Sequence, residues 1–339
     1  MNKIAVVILN WNGVKLLEQF LPSVVQFSQG AQIYVADNAS SDDSIHFVKE
    51  NFPTIKIVHN SGNHGFAKGY NDALQHIDAE IYALVNSDIE VTENWLNPII
   101  ENFDQEKQTA IIQPKILDYK NKGYFEYAGA AGGFIDKYGF PFCRGRVFDT
   151  IEKDNGQYND NCEIFWASGA CFFIRSEVYH ELGGFDETFF AHQEEIDLCW
   201  RASNEGHIIK YNSGSVVYHV GGATLQQGNP KKTYLNFRNS LLMLVKNLPK
   251  KGLFFVIFFR MVLDGIAGIR FLTQGKLQHT FAILKAHFSF YCISLAYLRK
   301  RKDFQIQQYY TVKSIVYLYY IKKLLVFKEI FNSNQNIKN

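Results

Sequence analysis

KIAVVILNWNG at residues 3–13, VKLLEQFLPSVVQF at 14–27 and QIYVADNASSDDS at 32–44 decide the fold. Residues 3–9 form a short, almost wholly apolar run, the pattern of a strand covered on both faces. Residues 14–27 carry apolar side chains at helical spacing, and 32–36 repeat the buried-strand pattern. A helix is expected over 40–51, opened by Ser and Asp side chains suited to capping. The alternation continues with a strand at 55–59, a helix at 66–77 entered through Gly65, a strand at 81–85 and a helix at 93–103. Buried strands separated by helices imply an α/β protein, a mostly parallel sheet with helices on both faces.

From about residue 114 to 161 the chain turns Gly- and aromatic-rich without a clear period, which reads as loops and short antiparallel strands beside the sheet. A strand at 168–175, a short helix at 176–182, a longer helix at 194–205 and strands at 207–211 and 215–219 follow. The remainder reads as helices over 234–248, 253–273, 277–298 and 308–330.

The chain has 339 residues, 47% of them hydrophobic, so a sizeable packed core is expected. Five scattered cysteines form no CxxC pair, which points to buried thiols in a reducing compartment. Strand-like residues begin at Ile4 with no basic leader before them, unlike a secretory signal. The net charge of +2 hides a division. Residues 1–230 hold 16 Lys and Arg against 30 Asp and Glu, or −14; residues 231–339 hold 19 against 3, or +16. A basic, aromatic-rich tail needs an anionic partner. The longest uncharged run in the helix at 277–298 is 13 residues, short of the roughly 20 that cross a bilayer. The expectation is therefore a basic amphipathic region, 231–339, lying against an anionic membrane surface rather than on nucleic acid. A helical cap that hides its apolar face on the main domain is the alternative.

In open parallel sheets ligands bind beyond the carboxyl ends of the strands. Here those ends are Asn10–Asn12, Asp37–Asn38, Asn60–Gly65 and Asn86–Asp88, all polar. Asp37 suits a hydrogen bond from a base or ribose, or a simple turn. Gly65 allows close approach of a ligand to a helix start that favours anions. Asp88, one carboxylate followed by open chain, suits a hard cation that takes its other oxygens from a diphosphate. Glu194, Glu195 and Asp197 crowd a helix start, where carboxylates are favourable in any case. Such crowding either builds a site or faces water. His219, ending a strand beside Gly221 and Gly222, offers a metal ligand.

Together, VVILNWNG, VADNASSDDS, NHGFAKGYNDAL, LVNSDIEV, SGACFFIR, GGFDETFFAHQEEIDLCWR and VVYHVGG resemble, in order, the motifs of a family 2 glycosyltransferase of the rhamnosyltransferase-like branch. YLNFRNSLLMLVKN resembles the segment that follows the catalytic domain. The resemblance implies a GT-A fold over 1–230, with a nucleotide-sugar half at about 1–113 and an acceptor half at about 114–230. It implies inverting transfer of a rhamnose-like or other hexose from a dTDP- or UDP-sugar to a glycan or lipid-linked glycan, in the cytoplasm at the inner face of the cell membrane. Asn10, Asn12, Asp37, Asn38, Gly65, Asn71 and Asn86 would bind the donor. Asp88 and His219 would hold a divalent cation, Mg2+ or Mn2+. Glu195 would be the base, with Asp197 and Arg201 orienting acceptor and diphosphate. Three positions depart from the family pattern: the metal motif is Asn86-Ser87-Asp88, the base is Glu195 where many members have Asp, and Tyr70 stands where Arg is frequent. The alternative is a nucleotide-sugar-binding protein that is non-catalytic or nucleotidyl-transferring.

Overall fold

The computed structural model describes residues 2–221 and 228–335, so Gly222 lies outside the described residues. The first half alternates as its spacing predicts: β1 (Asn2–Asn10), α1 (Val14–Phe27), β2 (Gln32–Asp37), α2 (Ser44–Asn51), β3 (Lys56–His59), α3 (Gly65–Leu74), β4 (Ala79–Asn86), β5 (Ile89–Val91) and α4 (Asn97–Gln105). The second half adds β6 (Thr109–Asp118), a small sheet of β7 (Gly133–Ile135), β8 (Pro141–Cys143), β9 (Arg146–Val147) and β10 (Thr150–Ile151), then β11 (Cys162–Glu163), β12 (Cys171–Arg175), α5 (Ser176–Glu181), α6 (Glu194–Asn204) and β13 (Ile208–His219).

The main sheet runs β11-β13-β6-β12-β4-β1-β2-β3, with β5 on β13. β1, β2, β3 and β4 are parallel to one another, while β12 lies antiparallel between β4 and β6. The chain order reverses at β1, between β2 and β4, which opens a crevice at the ends Asn10 and Asn86. β1 shows why both faces are covered. Ile4, Val6 and Ile8 join one core with Leu17 and Leu21 of α1 and Ile99 of α4. Ala5 and Val7 join the other with Ala67 and Tyr70 of α3 and Ile196 of α6. This is the two-residue side-chain period of a strand.

Three expectations change. β6 was hidden in a segment that reads as irregular, because Pro114 interrupts TAIIQPKILD. Pro114 is tolerated where β12 no longer pairs with β6 and β13 is bulged between Asn212 and Val216. That bulge also joins the two expected late strands into one. Finally, no helix spans 308–330. Val312 bridges Asp136, the Ile315 amide donates to the buried Asp136 carboxylate at 2.9 Å, and Tyr309 stacks on Trp200. Only α10 (Phe327–Gln335) is helical near that end, apart from a single π-turn at Tyr317–Ile321. Tertiary pairing with the edge of the small sheet overrides local spacing.

α7 (Pro230–Asn247), α8 (Leu253–Thr273) and α9 (Leu277–Arg299) follow expectation closely. α8 and α9 pack on each other, and α7 packs on both and on α6. Arg260 and Asp264, whose charges interrupt the apolar run of α8, face inward: they pair at 2.8 Å, and Arg260 donates to the Tyr138 and Gly139 carbonyls. The outer face keeps Phe254, Phe258, Val262, Ile266 and Ile269 of α8, and Phe281, Leu284, Phe288, Tyr291 and Leu295 of α9, all exposed. By length and composition α9 could cross a membrane, but its inner side is packed on the protein through Ile283, Ala286 and Phe290. All five cysteines are free.

Candidate active site

The ends of β1 and β2 form one hydrogen-bonded cradle. Asn10 Nδ2 donates to Asp37 Oδ1 at 3.2 Å and to Ser40 Oγ at 3.1 Å. Ser40 donates to both Asp37 oxygens through its hydroxyl and amide. Asn38 donates to the Gly65 carbonyl and accepts from Asn60, which also donates to the Gly69 carbonyl. Asn12, at φ +49°, turns its side chain to accept from the Ser41 amide at 2.7 Å. Asn86 sits at the tip of β4, its amide donating to the Ala170 carbonyl. The strand ends singled out by sequence therefore do meet.

Asp88, just beyond β4, and His219, at the end of β13, converge: Asp88 Oδ1 lies 3.2 Å from His219 Nε2, both side chains buried. On the other edge of the ring, Glu126 Oε2 lies 3.3 Å from Nδ1, an ion-pair contact without hydrogen-bond alignment. Burial works against a charged imidazole, but Glu126 and Asp88 outweigh it and push His219 up to about 10. Among the described residues no three His, Cys, Asp or Glu side chains are arranged to hold a metal unaided. Two donors each about 2.1 Å from one octahedral cation stand about 3 Å apart. The Asp88–His219 pair fits that spacing, leaving the remaining positions to a ligand's oxygens. Glu126 is a member of this cluster that sequence reasoning missed; it lies in the irregular stretch after β6, where no motif marks it.

Across the crevice, the loop before α6 is strained: Phe190, His192 and Gln193 all have positive φ, at +64°, +71° and +75°. Such conformations persist only when the surroundings impose them. α7 imposes this one. Asn239 donates to the carbonyls of Phe189, Ala191 and His192, and Arg238 to that of Thr188. The loop then aims Glu194 and Glu195. Burial raises both carboxyls, Glu195 to about 7 and Glu194 further, helped by the charge of its neighbour. His192 is pushed down to about 4 by burial and by Lys232. His192 Nε2, Gln193 Oε1, Glu194 Oε2 and Glu195 Oε2 are buried and unpartnered. Buried polar atoms without partners are rare in native folds and collect where a ligand or water completes them. Glu195 also faces the bend before β12: a Cβ on Gly169 would lie 3.7 Å from that of Glu195. Ala170 in that bend accepts from the Asn86 amide, so the strand tip and Glu195 flank the same bend.

Four expected residues sit differently from their expected contacts. Asp197 is fully buried, two residues and therefore about 200° round the helix from Glu195. It accepts from Arg201 and Lys246 at 2.9 Å or less and from Asn247, and although burial raises it, Lys246 and Arg201 hold it below the ordinary range. Arg201 uses its other nitrogens on the Leu182 and Gly184 carbonyls. Asn71 bonds Phe185, Glu187 and Tyr179. All three fasten the GGFDE turn rather than face the cleft. The free amides at the start of α3 are likewise taken, since Phe66 and Ala67 donate to the Phe190 carbonyl. Gly65, at φ +90°, is required there because a Cβ would meet that carbonyl at 2.6 Å. Tyr70 is buried, its hydroxyl donating to the Val85 carbonyl, so it reaches no phosphate.

The sheet, open at the switch point between β1 and β4, is the arrangement in which α/β proteins bind nucleotides. Residues 5–183 match the profile described as Glycosyl transferase family 2, and the chain belongs to that family. It is 23% identical over 250 residues to the low-salt glycan biosynthesis hexosyltransferase Agl10 of Haloferax volcanii, covering 71% of this chain and 75% of that one. It is 21% identical over 224 residues to the N-acetylglucosaminyl-diphospho-decaprenol L-rhamnosyltransferase of Mycobacterium tuberculosis, covering 61% and 73%. The crystal structure of GalNAc-T7 with UDP, GalNAc and Mn2+ superposes with a TM-score of 0.57 at 16% identity, over 74% of this chain and 49% of that chain. The protein is a nucleotide-sugar-dependent glycosyltransferase of family 2 with the GT-A fold.

Proposed function

We propose that the enzyme transfers a rhamnose-like or other hexose, with inversion, from a dTDP- or UDP-sugar to a hydroxyl of a lipid-linked glycan. The observation that carries this reading is Glu195: a half-buried carboxyl raised to about 7, with one buried oxygen unpartnered, beside the Gly169–Ala170 bend that holds the tip of β4 at Asn86. A base poised near neutrality can take the acceptor proton as the anomeric carbon loses its diphosphate. Asn10, Asn12, Asp37 and Asn38 form the floor on which base and ribose rest, with Asn86 at its rim. Asp88 and His219 hold a divalent cation, which when bound offsets charge on the leaving diphosphate. Asp197, Arg201 and Asn71 position the base by fixing the turns around α6. Residues 1–230 form the catalytic unit in this reading.

The outer face of α8 and α9 lies in the membrane interface on the cytoplasmic side. Phe254 is 74% and Phe288 71% exposed, and removing a side chain of this size from water contributes about 1.5–3 kcal/mol. Exposed Lys250, Lys251, Lys276 and Arg299 frame that face at the helix ends, where anionic headgroups would lie.

The test is transfer by Glu195→Gln. The expected result is loss of transfer with donor binding kept; transfer near the wild-type rate would remove Glu195 from the role. The donor follows from thermal shifts with dTDP-, UDP- and GDP-sugars with and without Mn2+. The true donor at about 100 times its Kd adds about 2.7 kcal/mol of stability. Flotation with phosphatidylglycerol-containing vesicles, against neutral vesicles and RNA, tests the membrane face.

A further inference from the structure

We propose that Glu126 is a positioning residue for the cation site, holding the His219 ring so that Nε2 faces Asp88 and the cation. This rests on the reading that Asp88 and His219 bind a divalent cation. Glu126 is buried, and its carboxylate is itself fixed, accepting from the Ala128 amide at 2.5 Å. Its backbone amide donates to the Ile116 carbonyl, which ties it to β6 beside β13. Its Oε2 reaches Nδ1 of His219 at 3.3 Å, while Nε2 on the opposite edge of the ring faces Asp88 at 3.2 Å.

That opposition assigns the roles. An imidazole binds a cation through one nitrogen lone pair, so the proton stays on the other nitrogen, which in a buried site needs an acceptor. Glu126 Oε2 is the carboxylate oxygen that reaches Nδ1, 3.3 Å away though out of hydrogen-bond alignment, and a cation at Nε2 is across the ring from it. Glu126 is therefore a partner of the ligand and not a third ligand. Charge balance agrees: two carboxylates, a neutral imidazole and a dication sum to zero, the condition under which buried charges are tolerated. Gly221 makes room for the arrangement. It has φ +71°, and a Cβ there would lie 2.9 Å from Glu126 Oε1. Two features thus converge on one carboxylate that no motif marks.

The experiment measures Mn2+ binding by electron paramagnetic resonance in the full chain with UDP present and no acceptor, so nothing turns over. Wild type, Glu126→Ala, Glu126→Gln and Asp88→Asn are compared, with the fold of each checked by circular dichroism. Glu126→Ala should weaken Mn2+ binding by about 10–100-fold, as loss of a ligand's hydrogen-bonded partner typically does. Glu126→Gln should recover part of that loss, since an amide oxygen accepts from Nδ1–H but brings no charge. A merely structural Glu126 would lower the melting temperature and leave the Mn2+ affinity of the folded protein unchanged. Folded Glu126→Ala binding Mn2+ as wild type does would overturn the proposal. Should Glu126→Ala not fold, Glu126→Gln decides by the same criterion: weaker binding supports the role and unchanged binding overturns it. Wild type and Asp88→Asn that bind Mn2+ equally would overturn the cation reading itself, a separate failure.

Discussion

At the ends of β1 and β2, Asn10, Asp37, Asn38 and Ser40 bond one another and leave little unsatisfied, Asn10 Oδ1 excepted. At the start of α6, four consecutive side chains, His192 to Glu195, each keep a buried polar atom without a partner, and the first two stand on a backbone held at positive φ. In the proposed reading the first region is a finished surface on which the donor would lie. The second is held in an unfavourable state by α7, and a ligand would complete it. Unsatisfied polarity costs about 1–3 kcal/mol per group, so its concentration on one side marks where stability is given up for chemistry.

Four substitutions break or sharpen this contrast. Glu195→Gln should lower kcat by about 10²–10⁴-fold in a transfer assay, while donor affinity stays near wild type. The pH profile belongs to the same residue. The free-enzyme rate should rise as pH climbs through about 7, where Glu195 loses its proton, and then level off. A flat profile across that range would remove Glu195 as the titrating base. Asp197→Ala leaves Arg201 without its ion pair in the interior and Lys246 with Asp186 alone, so urea denaturation should show a loss of about 3–5 kcal/mol. The folded pKa of Asp197 is lowered, so its contribution is present above the unfolded value near 3.9 and fades as pH falls below it. Melting temperature should therefore drop on acidification below about pH 4, and this drop should be weaker in Asp197→Ala.

Asn38→Ala should cost about 1–3 kcal/mol, because it orphans the Gly65 carbonyl and the Asn60 amide. Stability and donor affinity should fall together, as expected of a finished surface; a loss of rate with neither would make the two sides alike. Gly65→Ala should cost about 1 kcal/mol or more. It pushes on the Phe190 carbonyl, so kcat should fall more than donor affinity does, read from the split between kcat and KM.

Much of the donor side is legible in the linear chain. Asn10, Asp37–Asn38 and Asn86–Asp88 each follow an apolar run, and a parallel sheet lines up such ends without further information. The acidic start of α6 is legible as well, but not its internal division. Glu195 faces the cleft and Asp197 faces Lys246 because α7, some 50 residues later, packs on one side of α6. Asn71 and Arg201 stand in motifs that suggest ligand contact, yet both are used to fasten a turn.

Periodicity along β1–β4 and α1–α4, and the polar residues that end each strand, are local properties, so sequence alone determined the α/β architecture and the crevice, while Glu195 as candidate base rests on the family resemblance. Long-range contacts have no such local signature. Tertiary structure decided that Glu126 meets His219, that Pro114 sits inside a central strand, that 308–330 pairs with the small sheet, and that the charges of α8 turn inward to leave an apolar outer face. In each case the partner lies far along the chain, and only packing shows which of several compatible local conformations it stabilises.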